Sequence, residues 1–550
     1  PVPAKDIAWG FVWKSLKVLK SDGLVALLLP AMGVLHNTSS ESQSARRQFM
    51  RAARVKRIIN LSDLCFQLFD GAQRPTCFAL YRHDSGDGTP YYFEYWVPKA
   101  DLNLRLKRLL TLARSDRTRL RSDHVEQDPS IFKRRLWTRP PDEMLLQYLR
   151  SIPALGALIR QFKDIRSGEF KRHRDWVIGQ GFKPTQPNRV NDDEYGTTSS
   201  PIVTQHPYLA ADEFRPLALP RIKSEPWSDA TVHRAGFSEG FIGPHIIIPQ
   251  GVERRSGRLR AAYAKQSLVF EHSLQAIAFP PKQSATAKLL TAVLNSRLAA
   301  WFYFHESANL GTDRAKVIQA DILKLPFSVP ERMPDPEHAI ATAQKLVELI
   351  DEELERANSL LRPIDDALDK VDALVYAYYG LDDHDIALVE DSFEYLIPAM
   401  QPRRSAGIKA IWANSRAEDR LAYASTLCDA LKPWFDKPID ASLAAKSSDI
   451  AVLRLNLVKG RKERPYSEND TPDVDRFLRE ISANLPCALP GNFQIVPDLR
   501  FVIGEGMYLV KPMQLRYWLR SAALADAEEI AADFTAAVAR GDRDVQDARR

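Results

Sequence analysis

Five cations lie close together in the middle of the chain, and their side chains suit contact with a polyanion. They are Arg254, Arg255, Arg258, Arg260 and Lys265. Arginine donates paired N–H hydrogen bonds to a guanine edge or to a phosphate, and such contacts position a protein on nucleic acid. Candidates with less support from the pattern are Lys183, Arg189, Arg314 and Lys316. The alternative interpretation is a surface cluster that serves only solubility.

The charge distribution is uneven although the formal net charge of the 550 residues is only +6. Residues 101–140 contain eleven Lys or Arg against five Asp or Glu, and residues 331–400 contain five against eighteen. The basic block could face a polyanion or could form a solvated helix face, and the sequence leaves both open. The acidic block indicates a helical surface turned away from nucleic acid.

The elements that must position these side chains begin with an α/β segment over residues 9–81. Ala8, Val12, Leu16 and Leu19 share one helical face, which Ile7, Phe11 and Val18 would widen. Gly23 suits a left-handed cap, and the apolar run at 24–29 predicts a strand covered on both faces within a parallel sheet. A helix at 44–53 and strands at 55–61 and 76–81 follow, so a doubly wound α/β layer is expected.

The predicted secondary structure changes twice along the remainder of the chain. Residues 91–96 have strand character, and 101–120 predict a basic helix whose apolar stripe is Leu106, Leu109, Leu110 and Ala113. Residues 175–330 carry short strand patterns separated by Pro and Gly, which favour an antiparallel or mixed β domain. Long helices are predicted at 284–305 and 339–361, and 406–550 mix helices with strands.

Composition is that of a globular protein, with 45% hydrophobic and 27% charged residues. No apolar run reaches the roughly eighteen residues of a membrane span. Cys65, Cys77, Cys428 and Cys487 have no metal-ligand spacing, so we expect reduced structural thiols, no metal and a cytoplasmic protein.

The first eighty residues also resemble a known family. The series "FVWKSLKVLKSDGLVALLLP", "RRQFMRAARVKRIINL" and "LCFQLFDGAQRPTCFALYR" is similar to the latter half of adenine-specific DNA methyltransferases. The families are the methylase subunits of type I restriction systems and the fused type IIG enzymes. Further on, the helix with Leu294-Asn295-Ser296 and the turn Leu325-Pro326-Phe327 resemble their target-recognition domain.

The resemblance implies a fold class, a cofactor and partners. The fold would be α/β: a partial Rossmann-like (class I methyltransferase) sheet closed by a hairpin, an α+β target-recognition domain and a mixed α/β C-terminal region. The cofactor would be S-adenosylmethionine and the substrate double-stranded DNA, with a nuclease or specificity subunit as a possible partner. The Gly-rich loop and the Asn- or Asp-Pro-Pro-aromatic tetrapeptide of these families do not occur here. We therefore expect both to lie upstream of this chain.

The resemblance also assigns a candidate to the base pocket. An aromatic from the hairpin stacks on the extruded adenine in these families, and Phe69 stands at the matching position. Phe66 is the fallback, and either could instead be a core residue. His36 and Asn37 follow the first strand, where a role in capping the loop is the simpler expectation.

Four domains and three functions follow from these patterns. The predicted domains are residues 1–100 (latter half of a methyltransferase domain), 101–174 (basic helical connector), 175–400 (target recognition) and 401–550 (unassigned). The first functional hypothesis is a DNA adenine methyltransferase of a restriction-modification or phage-defence system. The second is a DNA-recognition module without its own catalysis, and the third is a Rossmann-like scaffold without DNA.

Overall fold

A computed structural model describes residues 2–3, 6–20, 22–69, 71, 74–83, 88–166, 168–185, 196–253, 256–359, 364, 366–435, 437–457, 466–468, 472–482, 499–503 and 506–539. Their contacts divide the chain into two compact units. Unit 1 combines residues 1–144 with 394–550, and unit 2 comprises 145–393. This division differs from the predicted four domains, because the carboxy-terminal region belongs to the same unit as the amino-terminal sheet.

Sixteen α-helices occur in the described part of the chain. They are α1 Ile7–Val18, α2 Ser40–Ala52, α3 Leu102–Lys107, α4 Ser122–Gln127, α5 Ile131–Arg134, α6 Pro140–Arg150, α7 Ser284–Asn295, α8 Arg297–Glu306, α9 Gln319–Ile322, α10 Pro336–Asn358, α11 Ala367–Tyr379, α12 Asp383–Asp391, α13 Ile397–Ala399, α14 Ala417–Leu431, α15 Val474–Ser482 and α16 Arg520–Ala539.

Eighteen strands occur in the same described residues. They are β1 Val25–Pro30, β2 Ala53–Asn60, β3 Thr76–His83, β4 Tyr92–Trp96, β5 Arg117–Arg121, β6 Ile159–Gln161, β7 Trp176–Gln180, β8 Thr198–Ser199, β9 Leu217–Ala218, β10 Thr231–Val232, β11 His245–Pro249, β12 Ala262–Ala264, β13 Leu274–Ala278, β14 Ile439–Lys446, β15 Ile450–Leu457, β16 Tyr466–Ser467, β17 Leu499–Ile503 and β18 Gly506–Pro512. The chain is therefore mixed α/β with several mixed sheets.

The first sheet of unit 1 has the order β1-β3-β2-β4-β5. Strand β3 lies between β1 and β2 and is antiparallel to both, so β1 and β2 point the same way. β4 is parallel to β2, and β5 is antiparallel to β4. The predicted hairpin of β2 and β3 is confirmed, but the expected mostly parallel layer is wrong. A parallel neighbour requires a long crossover connection, whereas β2 returns directly into β3.

Burial around β1 also departs from the prediction. Only Leu29 of this strand is buried, and Leu28 is 51% exposed, so β1 is not covered on both faces. Helix α1 buries Ala8, Trp9, Val12 and Leu16, whereas the three residues expected to widen its apolar face are exposed, namely Ile7, Phe11 and Val18. The helix ends with Leu19 in an extended conformation, and Gly23 does not have the positive φ expected of a left-handed cap.

The predicted basic helix over 101–120 is mostly not helical. Helix α3 stops at Lys107, Arg108 adopts the left-handed conformation with φ 57°, and β5 follows. Leu106, Leu109 and Leu110 are 73%, 60% and 54% exposed, so they do not form the predicted buried stripe, although Ala113 is buried. Leu106 is exposed on the short helix, and Leu109 and Leu110 are exposed in the segment that follows it.

Unit 2 is built on a six-stranded mixed sheet with the order β6-β7-β13-β11-β12-β9. Its β11, β12 and β13 are buried along their whole length, in agreement with the predicted mixed β region. The predicted single helix at 284–305 is two helices, because Ser296 has ψ 158° and its side chain caps α8 at Ala299. Helix α10 corresponds to the long helix predicted at 339–361, and it packs against α11.

The second sheet of unit 1 has the order β16-β14-β15-β18-β17. Beside it, the Glu468 carboxylate accepts hydrogen bonds from Arg420, Lys446 and Tyr466. Arg516 forms a buried ion pair with Asp116, whose side chains are 7% and 2% exposed. This pair joins residues four hundred positions apart and explains why the two ends of the chain share one unit.

Cys65, Cys77 and Cys428 are buried thiols outside any disulfide bond, which confirms the structural interpretation for these three. Burial raises the pKa of the Cys77 thiol to about 12. Cys487 lies outside the described residues. In the part of the chain that the structure covers, no helix is long and apolar enough to cross a membrane.

Candidate nucleic-acid interface

The loop between β2 and β3 lies at the carboxyl ends of β1 and β2, where α/β proteins bind their ligands. Within it, Phe69 is 41% exposed, and Phe66 is partly buried. The guanidinium of Arg403 lies 5.7 Å from the centroid of the Phe66 ring. Phe69 is therefore the aromatic side chain of this loop that is most open to an incoming base.

The backbone of this loop is held by a second segment, residues 401–404. The Asp63 carboxylate accepts the N–H of Gln401 at 2.8 Å and that of Ala100 at 2.9 Å. The Gln401 amide donates to the carbonyl of Ser62 at 3.0 Å, and the Gln67 amide donates to the carbonyl of Pro402 at 2.6 Å. These hydrogen bonds hold residues 62–67, and Phe69 follows this held segment by two residues.

A buried polar network lies next to this loop. His36 Nε2 is 3.2 Å from Ser62 Oγ and 3.3 Å from Asn60 Nδ2, and Asn60 also donates to the Tyr95 hydroxyl at 2.8 Å. Burial, together with charge repulsion from Lys133 and Arg46, lowers the pKa of His36 to about 3. His36 is thus a neutral structural residue. Asn37 Oδ1 accepts the N–H of Ser39 at 2.9 Å, which confirms its predicted capping role.

In unit 2, three cations surround His272 at one end of the sheet. Lys183 and Arg234 are joined by two backbone hydrogen bonds of 2.8 and 3.2 Å. Burial lowers the pKa of His272; the Glu271 carboxylate opposes this shift, and repulsion from Arg234, Lys183 and Lys316 adds to it. We call Lys183, Arg234, Lys316 and His272 the cationic cluster.

The cationic cluster is assembled from four separate segments. Lys183 follows β7, His272 precedes β13, and Lys316 lies opposite Gly251 just after β11. The register pairs Pro249 with Leu274 and Gln275 with Gln180, so these positions meet at the same end of the sheet. The sequence identified Lys183 and Lys316 but missed Arg234 and His272. No signal near either residue indicates this grouping, because only strand register brings them together.

Arg258 has a structural role. Its guanidinium donates to both oxygens of Asp372, at 3.1 and 2.8 Å, and the two side chains are 7% and 3% exposed. Arg297 also reaches Asp372, with its backbone N–H at 2.7 Å and its Nε at 3.1 Å. Arg258 therefore fastens the segment before β12 to α11, and we leave it out of the DNA-contacting surface.

The other predicted cations are dispersed. Arg260 is partly buried, with its guanidinium 6.0 Å from the centroid of the Phe214 ring. Lys265 is exposed, but it follows β12 at the end of β11 away from the cationic cluster. Arg314 is 69% exposed and lies 3.6 Å from Asp313. Arg189, Arg254 and Arg255 lie outside the described residues.

The cofactor implied by the resemblance does not fit the residues that this chain supplies. At the carboxyl ends of β1 and β2, Asn60, Ser62 and Tyr95 are buried and bonded to one another, and no Gly-rich turn follows β1 in the described residues. We therefore derive no step through S-adenosylmethionine. No group of three or more His, Cys, Asp or Glu side chains that could hold a metal ion occurs in the described part of the chain.

Comparisons with known proteins give matches among solved structures. No protein-family model matches the sequence, and no curated protein sequence matches it. The type IIG restriction endonuclease BpuSI matches with a TM-score of 0.26 and 12% identity, over 72% of this chain and 50% of that chain. The type IIL restriction-modification enzyme MmeI, solved in complex with DNA, matches with a TM-score of 0.34 and 10% identity, over 70% and 50%.

A third similar structure is the HsdS subunit from Thermoanaerobacter tengcongensis, with a TM-score of 0.16 and 12% identity over 46% of this chain and 51% of that chain. These three structures are a type IIG restriction endonuclease, a type IIL restriction-modification enzyme and an HsdS subunit. The chain spans about half the length of each of them.

Proposed function

We propose that this chain is the carboxy-terminal part of a site-specific DNA adenine methyltransferase of a restriction-modification or phage-defence system. The β1–β5 sheet is the latter half of the methyl-transferring domain, and unit 2 recognises double-stranded DNA. The cofactor loop and the catalytic tetrapeptide belong to an upstream part. The observation that supports this assignment best is Phe69, an exposed aromatic on a hydrogen-bonded loop at the ligand-binding edge of the sheet.

Methylation of the 6-amino group of adenine within a duplex requires extrusion of the base, which loses its stacking partners. A fixed aromatic ring replaces part of that stacking, at about 1–3 kcal/mol per base. Phe69 fits this role because the segment before it is already held by Asp63 and Gln67, which limits the conformational entropy lost when a base stacks on it.

The cationic cluster of unit 2 supplies the second requirement, which is affinity for the phosphate backbone. Arg234 is exposed, and Lys183 and Lys316 are partly exposed, so all three can reach a duplex. Each phosphate contact releases counterions, and the slope of log K against log salt changes by about 0.9 per contact for duplex DNA. Three such contacts correspond to a slope of about 2.7 in magnitude.

The DNA-binding part of the proposal is tested with this chain. We expect salt-sensitive binding of duplex DNA by fluorescence anisotropy. The combined variant Lys183→Gln, Arg234→Gln and Lys316→Gln should reduce the magnitude of the salt slope by about 2.7. Lys265→Gln is the matched control, because Lys265 is exposed at the other end of β11. An unchanged slope in the triple variant would exclude the cationic cluster from the DNA surface.

The catalytic part is tested in the complete enzyme. Phe69→Ala should lower adenine methylation at least tenfold, the equivalent of about 1.4 kcal/mol of lost stacking, with DNA affinity little changed. Phe69→Trp should retain activity, and Trp434→Ala controls for loss of an exposed aromatic, since Trp434 is 46% exposed. Equal losses of affinity and methylation would remove Phe69 from the base pocket. DNA binding without methylation by the complete protein would support the DNA-recognition module instead.

A further inference from the structure

A set of arginines surrounds the loop that holds Phe69, and the proposed function does not use them. Arg108 approaches the carbonyl of Gln67 at 3.5 Å, and Arg404 donates to the same carbonyl at 3.0 Å. Arg105 donates to the carbonyl of Gly407 at 3.3 Å, and Arg403 lies over the ring of Phe66. Arg108, Arg403 and Arg404 therefore contact the loop, and Arg105 contacts residue 407 of the segment that carries Arg403 and Arg404.

Within the part of the chain that the structure describes, three of these arginines lack the ion pairs with carboxylates that some other arginines of unit 1 form. Among the described residues, no carboxylate lies within 4.0 Å of the guanidinium of Arg105, Arg108 or Arg403. In contrast, Arg51 pairs with Glu126 and Arg57 with Glu94, and many other cations of unit 1 have similar partners. Arg108 and Arg403 are exposed, and Arg105 is partly exposed. A cation without a protein counterion can be neutralised by an anion that binds from solution.

Apolar side chains accompany the three arginines. Leu106, Leu109 and Leu110 lie in the same segment and are more than half exposed. A surface that presents leucines among unpaired arginines suits a macromolecule with an anionic backbone and apolar faces rather than a small ion. Arg108 also retains a left-handed backbone, φ 57°, which is costly for a residue other than glycine.

We propose that Arg105, Arg108 and Arg403 bind the phosphodiester backbone of duplex DNA beside the nucleotide that stacks on Phe69. This inference rests on the proposed function, because Phe69 defines which nucleotide is meant. The contact of Arg108 with Gln67 ties the phosphate-binding side chain to the loop that positions the aromatic. Backbone contacts fix register and orientation on the duplex, so the arginines hold the strand where the base leaves the stack.

The test compares salt slopes of duplex binding. The combined variant Arg105→Gln, Arg108→Gln and Arg403→Gln should reduce the magnitude of the slope by about 2.7, one 0.9 step per phosphate contact. The corresponding triple Lys variant should keep the slope, since it preserves charge. Arg82→Gln is the control, because Arg82 is exposed at the end of β3 away from the loop. Circular dichroism and the urea midpoint establish that each variant is folded.

The outcomes separate this inference from the proposed function. The triple Gln variant of Arg105, Arg108 and Arg403 is called the loop-side variant. If the salt slope of duplex binding falls in the cationic-cluster variant but not in the loop-side variant, the arginine assignment fails and DNA recognition by unit 2 stands. If the loop-side variant alone loses slope, the arginine assignment stands and the cationic cluster fails. If the salt slope also falls in the triple Lys variant, the contacts with DNA depend on the geometry of the guanidinium groups and not on their charge alone. A slope change on duplex RNA but not on duplex DNA would overturn the assignment to DNA.

Discussion

Replacement of Asp372 by Asn is the sharpest test of how unit 2 is held together. The carboxylate is 3% exposed and receives two bonds from Arg258, whose side chain is 7% exposed. It also accepts the backbone N–H of Arg297 at 2.7 Å. Removal of one partner leaves a buried guanidinium without its counter-charge, and breaking such a pair costs about 3–5 kcal/mol. We expect Asp372→Asn to lower the free energy of unfolding by that amount.

Urea unfolding followed by tryptophan fluorescence measures the change, with the m-value checked for constancy. Asp369→Asn is the matched control, because Asp369 pairs with Arg297 at 2.8 Å but is 60% exposed. An exposed pair contributes about 0–1 kcal/mol. The double variant Asp372→Asn with Arg258→Met should recover part of the loss, since neither charge remains buried alone. A loss below about 1 kcal/mol, or equal losses in the two single variants, would refute the reasoning.

Three further outcomes are expected. Partial burial opposes ionisation of Glu468, but the hydrogen bonds that its carboxylate accepts lower its pKa to about 2. The ionised carboxylate therefore contributes its full stabilisation of the fold above the unfolded-state pKa of about 4.3, and this contribution is lost as the pH falls through the folded-state pKa. Glu468→Gln should flatten the acid decline of the urea midpoint between those two values, and an unaltered decline would contradict this. Gly236→Ala should weaken duplex binding by displacing Arg234, because Gly236 has φ +71° and a Cβ there would lie 2.4 Å from the carbonyl oxygen of Gly181. The control is Gly251→Ala, whose Cβ would meet no atom closer than 4.0 Å. Equal affinities of the two variants for duplex DNA would disprove the effect. Arg516→Met should lower the free energy of unfolding in urea by more than about 1 kcal/mol but by less than the roughly 3–5 kcal/mol of a fully broken buried pair, because Lys99 remains 3.8 Å from Asp116; an unchanged free energy of unfolding would argue against a stabilising pair.

Local patterns predicted most elements of the fold. Helices α1 and α2 and strands β2 and β3 lie where the sequence pattern placed them, and β2 and β3 form the hairpin that the resemblance implied. Failures arose where burial depends on distant residues. The leucines around Lys107 have the spacing of a helical stripe, yet the chain turns at Arg108 and exposes them. Periodicity reports which residues could share a face, but not whether another element covers that face.

The candidate site was predicted in part. The resemblance supplied Phe69, and Lys183 and Lys316 were among the candidates with less support from the pattern, whereas the clustering of cations selected Arg258. Arg258 cannot be distinguished from a surface arginine by its neighbours in sequence, because its partner Asp372 is more than a hundred residues away. Arg234 and His272 were missed for the opposite reason, since their significance arises only from strand register.

By itself, the sequence determined the α/β character, the position of the β2–β3 loop and the mild excess of positive charge, because these depend on residue type and short-range spacing. The tertiary structure decided which charges are free to meet a ligand and which are used within the fold. It also decided that residues near 400 and 516 join the amino-terminal sheet. Both decisions depend on contacts between distant segments, and the free energy of burying or pairing a charge is set by those contacts.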